Sequence, residues 1–167
     1  MTFVACTHDA HAAAILALFN EAILHSTALY DYQPRPPESM TEWFRTKAAH
    51  GFPVIGAEDD SGQLAGFATY GVFRAGAGYR HTAEHSIYIH KAFRGQGLGL
   101  ALMGRLIEAA ARNRIHTLIG VLDAGNTASI ALHEKLGFTL AGTLKEAGFK
   151  FDRWLDVRFY QRILQSP

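Results

Sequence analysis

Between Glu84 and Leu122 the chain passes through a half-polar strand, a glycine-rich turn, an amphipathic helix and a second, apolar strand. That order restricts the fold more than any other stretch. Glu84-His85-Ser86-Ile87-Tyr88-Ile89 alternates, with Glu84, Ser86 and Tyr88 on one face and Ile87 and Ile89 on the other. Arg94-Gly95-Gln96-Gly97-Leu98-Gly99 follows, and from Leu98 to about Arg112 the residues Leu102, Met103, Leu106, Ile107 and Ala110 recur at helical spacing. Thr117 to Leu122 then reads as a strand. A helix of this length is the crossover that parallel strands require.

The rest of the chain can be arranged around that unit. Four of the five prolines fall between Pro34 and Pro53, and none occurs from Val54 to Ser166. The front of the chain is therefore punctuated and the body regular. Thr2 to Cys6 reads as a strand, and Asp9 to about His25 as a helix with Asp9 as its N-cap. Tyr30 to Glu38 reads as an ordered surface loop, Ser39 to His50 as a helix ended by Gly51. Val54 to Glu58 and Ala65 to Phe73 are strands around the turn Asp59-Asp60-Ser61-Gly62. Asn126 caps a helix through Leu136, closed by Gly137 and Phe138, and Thr139 to Leu164 gives two antiparallel strands. No linker or repeat interrupts this, so residues 1–167 are expected to form a single domain.

Composition excludes several classes of function. Sixteen basic and fifteen acidic residues leave a net charge of +1, without the clustered basic excess of a nucleic-acid binder. One cysteine, Cys6, excludes an internal disulfide and fits a reducing cytoplasm. No apolar run is long enough for a membrane span, and no signal peptide is recognisable. Among His81, His85, His90 and His116 there is no helical pair with an acidic third ligand, so no metal is expected.

Three glycines in five residues at a helix start need a physical reason, since each costs conformational entropy. One is that a turn without Cβ atoms can aim backbone N–H groups, with the helix dipole behind them, at a phosphate that Arg94 also pairs. A tight, closely packed strand-to-helix turn is the other. Leu100 and Ala101 after the last glycine exclude a Walker A loop, and the G-x-G-x-G spacing departs from the Rossmann G-x-G-x-x-G. A pyrophosphate outside a dinucleotide suits what remains.

At this level the sequence resembles the GNAT superfamily of N-acetyltransferases. Arg94-x-x-Gly97-x-Gly99 is similar to the family's acetyl-CoA pyrophosphate loop, and Asn126 to Phe138 to its second motif. Thr82 to Ile89, with Gly148 to Val157, resembles the phosphinothricin and methionine sulfoximine acetyltransferase branch. The resemblance implies an α/β (α+β) GNAT fold: a mixed sheet of about six to seven strands flanked by about four helices, its splayed parallel strands holding acetyl-CoA. It implies an acyltransferase that acetylates the α-amine of a small amino-acid-like acceptor by direct transfer, in the manner of amino-acid analogue detoxification. It also implies a homodimer, for which the apolar strand Trp154 to Ile163 offers an edge.

On that resemblance Glu84 is the candidate catalytic base and His133, in one helical stripe with Asn126 and Ser129, the candidate acid. Backbone groups of Ile87, Tyr88 and Ile89, the run Arg94, Gly95, Gln96, Gly97, Leu98 and Gly99, and Asn126 with Ser129 are the candidate cofactor contacts. The acceptor is expected to meet Phe73, Arg74, Arg80, Glu84, His85 and Tyr30, with a guanidinium against its carboxylate. Two alternatives stand beside this reading: an acetyltransferase for peptide N-termini or polyamines, and a non-catalytic acetyl-CoA-binding module.

Overall fold

The computed structural model describes residues 1–164; residues 165–167, Pro167 among them, lie outside the described residues. Strands β1 (Thr2–Ala5), β2 (Val54–Glu58), β3 (Leu64–Val72), β4 (Thr82–Ile89), β5 (Thr117–Asp123), β6 (Thr139–Lys150) and β7 (Arg153–Ile163) form one sheet in the order β1-β2-β3-β4-β5-β7-β6. Its helices are α1 (His8–His25), α2 (Ser39–Ala49), α3 (Leu98–Arg112) and α4 (Thr127–Lys135). The expected mixed sheet with four helices is what the chain forms.

Each face of the sheet has its own core. On one side α1 and α2 bury Ile15, Leu18, Phe19 and Met40 against Phe67 of β3. Opposite them α3 buries Leu102, Met103 and Leu106 against Ala68 and Tyr70 of β3 and Leu118 of β5. Alternation along β3 explains this division, because neighbouring side chains point to opposite faces. The turn between β2 and β3 is held by Asp59, whose Oδ1 accepts from the N–H groups of Ser61 and Gln63, with Gly62 at φ 84°.

Two features differ from those read off the sequence. Thr7, not Asp9, caps α1, its hydroxyl accepting from the Ala10 N–H at 3.4 Å. Asp9 lies inside the first turn, where a carboxylate still complements the helix dipole. At this end of the sheet the edge strand is β6, β1 being the other edge, since β7 pairs with β5 on one side and β6 on the other. Trp154 to Ile163 is thus an interior strand, because the chain doubles back after Lys150 and inserts its last strand next to β5.

One join in the sheet opens. Strands β4 and β5 run parallel and pair only from Thr82 to Glu84 against Thr117 to Ile119. Beyond that point β4 stays with β3 and β5 stays with β7, and the two inner strands part.

Candidate active site

The parting of β4 and β5 leaves a cleft of about 630 Å³. Its walls are β4 from Glu84 to Ile89, the glycine turn before α3, the end of β5, the start of α4, and the segment Ser26 to Tyr30 after α1. His90 N–H donates to Ala65 O, so alternation assigns the backbone groups of Tyr88 and Ser86 to β3. Those of Ile87 and Ile89 face the opening. Ile89 O accepts from Arg94 Nε at 3.0 Å, which leaves its N–H and both groups of Ile87 for an extended ligand laid along the strand.

The glycine turn makes the cleft's anion-binding end. Gly95 and Gly97 have φ values of 74° and 81°, a region side chains rarely occupy, and a Cβ on either would meet nothing. Conformation explains both glycines. Gly99 is different: it lies against Leu132 of α4, where a Cβ would sit 3.4 Å from that side chain, so it serves helix packing. Gly97, the N-cap of α3, carries no side chain to cap the helix, and the ladder begins with Ala101 N–H donating to Gly97 O. The first-turn N–H groups before Ala101 therefore have no partner within the helix and lie beside the cleft. A diphosphate fits this end, and an extended amide-bearing arm fits the wall of β4.

Arg94 and Gln96 are arranged differently from expectation. The Arg94 guanidinium pairs with Glu21 of α1 at 3.0 Å as well as with Ile89 O. Gln96 donates to Ala92 O and is not on the cleft wall. Asn126 caps α4, its Oδ1 accepting from Ser129 N–H at 3.1 Å, and its amide NH2 remains beside the cleft. Leu98 and Ser129 line the cleft as well.

Glu84 stands on the cleft wall at the point where β4 leaves β5. Its register partner on β3 is Gly71, so no side chain crosses over the carboxylate from that strand. Burial raises its pKa above the usual 4.5, and the Arg74 guanidinium opposes part of the rise. A carboxylate whose proton affinity is raised by burial is suited to accept a proton from an ammonium group.

His85 and His133 depart from the expected roles. Being next to Glu84 on β4, His85 projects to the opposite face, where it is buried and stacks on His133 at 4.9 Å. It does not meet an acceptor on the Glu84 face. The His133 Nδ1–H donates to Ser129 O at 2.6 Å, so in the neutral ring Nε2 accepts, and His85 Nε2–H is the donor across 3.2 Å. Both ring nitrogens of His133 are engaged by the protein, and burial lowers its pKa. It lines the cleft with both nitrogens bonded to protein groups, whereas an acid would have to turn an N–H towards the leaving thiolate. Gly120 makes room for the pair, since a Cβ there would lie 2.8 Å from His133 Nε2 and 2.9 Å from His85 Nε2.

Of the acceptor candidates, Tyr30, Glu84 and His85 reach the cleft wall, whereas Phe73, Arg74 and Arg80 do not. Phe73 packs edge-on against Tyr79 in the β3–β4 connection, and Arg80 donates to His81 Nε2. Arg74 bonds Phe73 O and acts on Glu84 through its charge. Sequence reasoning missed Glu21, Thr27 and Asp123. Asp123 ends β5, accepting from Thr27 Oγ1 and from Gly125 N–H. Its signal in the sequence was its place at the end of the strand that follows the glycine turn and helix, where a dinucleotide-binding fold carries a ribose-binding acid.

No cluster among the described residues has the composition of a metal site, and no helix among them is long and apolar enough to cross a membrane. The chain matches the acetyltransferase (GNAT) family over residues 16–138. It is 41% identical over 147 residues to the L-methionine sulfoximine/L-methionine sulfone acetyltransferase of Pseudomonas aeruginosa, covering 88% of this chain and 86% of that one. With the phosphinothricin N-acetyltransferase of Alcaligenes faecalis the identity is 37% over 167 residues, covering 97% and 84%. The crystal structure of a phosphinothricin acetyltransferase from Sinorhizobium meliloti in complex with AcCoA superposes with a TM-score of 0.94 at 34% identity, over 98% of this chain and 88% of that one.

Proposed function

Because the chain belongs to the GNAT acetyltransferase family, we propose that it acetylates the α-amine of a small amino-acid-like acceptor, of methionine sulfoximine, methionine sulfone or phosphinothricin type. Acetyl-CoA is the donor, and when bound it supplies an activated thioester acyl group. The N–C bond of the product forms and the C–S bond breaks, CoA leaving as a thiolate that takes up the proton the acylated nitrogen sheds, and no acyl-enzyme is required. The observation that carries this reading is Glu84, its pKa raised by burial, on the wall of the cleft that opens between β4 and β5.

Glu84 takes the proton of the acceptor's ammonium group, directly or through one water, so that the free amine can attack. Arg74 is the proposed partner of the acceptor's carboxylate, a role supported by its electrostatic effect on Glu84. Backbone groups of Ile87 and Ile89 hold the donor's pantetheine arm, and the first-turn N–H groups of α3, with Gly95 and Gly97, hold its diphosphate. Arg94, on the cleft wall and paired with Glu21, adds positive charge beside that diphosphate, and Asn126 adds its amide. A single carboxylate left at the acceptor end favours an acceptor with one amine over a polyamine: Glu21 and Asp123, the other acids on the wall, are engaged by Arg94 and Thr27.

A homodimer is part of the proposal. The edge strand β6 is exposed over most of its length and presents Leu140 and Leu144. Exposed Phe149 and Trp154 pack edge-to-face where it turns into β7. The single cysteine, held as a protonated thiol by burial, fits residence in the cytoplasm.

The test is CoA release by the purified protein with acetyl-CoA and a panel of methionine sulfone, methionine sulfoximine, phosphinothricin, common amino acids and polyamines. The sulfone and sulfoximine are expected to give the highest kcat/KM. Absence of release with every amine would defeat the reading.

A further inference from the structure

The segment after α1 walls the cleft from Ser26 to Tyr30 yet contains no helix or strand, so its carbonyls lack the partners that regular structure provides. Two of them are met from a distant part of the chain. Lys150, the last residue of β6, is only 4% exposed, and its Nζ donates to Ser26 O at 2.8 Å and Leu29 O at 2.6 Å. Its ammonium also lies 5.0 Å over the Phe151 ring. The same strand end makes two more ties: Tyr32 OH donates to Phe149 O at 2.7 Å, and the Tyr30 ring rests on Gly148, where a Cβ would overlap it. The Thr27 hydroxyl, held by Asp123, fixes the segment to β5.

We infer that Lys150 is a positioning residue for the acceptor, its ammonium holding the Ser26–Tyr30 segment closed over the side of the cleft that Glu84 serves. This rests on the proposed acetylation of an amino-acid-like acceptor. The two carbonyls it binds flank Thr27 and Ala28, both on the cleft wall. A charge-assisted bond from a buried ammonium to each carbonyl fixes their spacing more firmly than solvent would. The donor half of the cleft, made by β4, α3 and α4, has no contact with Lys150 through these bonds. Loss of the ammonium should therefore loosen acceptor binding and spare the donor.

The experiment compares Lys150→Met with the unaltered full-length chain. Acceptor KM is measured with methionine sulfone, acetyl-CoA Kd by calorimetry, and amide hydrogen exchange across residues 26–32 and along α1. Acceptor KM is expected to rise about tenfold or more, the scale of one lost charge-assisted bond, with acetyl-CoA Kd changed less than about twofold. Amides 26–32 should exchange faster while those of α1 do not. Unchanged exchange in the segment, an unchanged acceptor KM, or a parallel loss of acetyl-CoA affinity would each overturn the inference. If the unaltered protein acetylates no amino acid, the functional reading has failed, and exchange alone then decides whether Lys150 sets the segment. Should Lys150→Met not fold, Tyr32→Phe removes a second tie through a largely exposed side chain. It should raise acceptor KM about two- to tenfold with the same local exchange, and no change in either would refute the strap.

Discussion

Glu84 and His85 are neighbours on β4, and alternation sends them to environments with opposite consequences. Glu84 acts as a base only when ionised, so the acidic limb of kcat/KM should lie above the ordinary carboxylate value of 4.5, towards which Arg74 holds it. Glu84→Gln is expected to lower kcat by about 10²- to 10⁴-fold. Arg74→Met removes the opposing charge, and in a pH profile its acidic limb should move upward; a downward move would separate Arg74 from Glu84. His85 titrates in the other sense. Burial, followed by the nearby His133, lowers its pKa to about 3, well below the usual 6.5. The folded state thus holds it neutral, and the stability this contributes is full above about pH 6.5 and is lost as pH falls towards 3. Between pH 7 and pH 5 the loss is on the order of 2 kcal/mol. Urea midpoints should therefore fall over that interval, and less so in His85→Leu, whose side chain does not titrate.

At the scale of elements, local signals fixed most of the layout. The spacing from Leu98 to Arg112, the Asn126 cap and the Gly137 terminus all act within a few residues, and each appears where the sequence indicated. Gly137 has φ 76° and Phe138 is buried, as that helix ending requires. What was not legible depends on long-range pairing. Nothing near Lys150 indicates that its ammonium reaches carbonyls about 120 residues earlier. Nor does the alternation of β4 reveal that His85 and His133 meet across the site of Gly120, a meeting that engages His133 Nε2. The two roles of Asn126 can be separated. Asn126→Asp keeps an oxygen to cap α4 and removes the amide donors, so melting should be nearly unchanged while acetyl-CoA KM rises several-fold. Asn126→Ala should lose about 1 kcal/mol of stability as well. Equal acetyl-CoA KM in Asn126→Asp and the unaltered protein would leave Asn126 as a cap alone.

For the whole molecule the edge strand matters most. A twelve-residue strand with free N–H and C=O groups and exposed Leu140 and Leu144 is the kind of edge that proteins cover. Leu144→Arg places a charge at the middle of that edge. Sedimentation should then show a monomer at concentrations where the unaltered chain is a dimer, and a monomer for both would remove the dimer from the proposal. The sheet order has a kinetic side too. Strand β5 touches β4 only at its first residues, while β7 runs beside its whole length. During synthesis, β5 must wait with one flank bare until the strand that belongs beside it has left the ribosome. The cleft owes its shape to that same short overlap, so until β7 arrives β5 has the donor gap on one side and a bare flank on the other, and there the newborn chain is exposed to aggregation and chaperones.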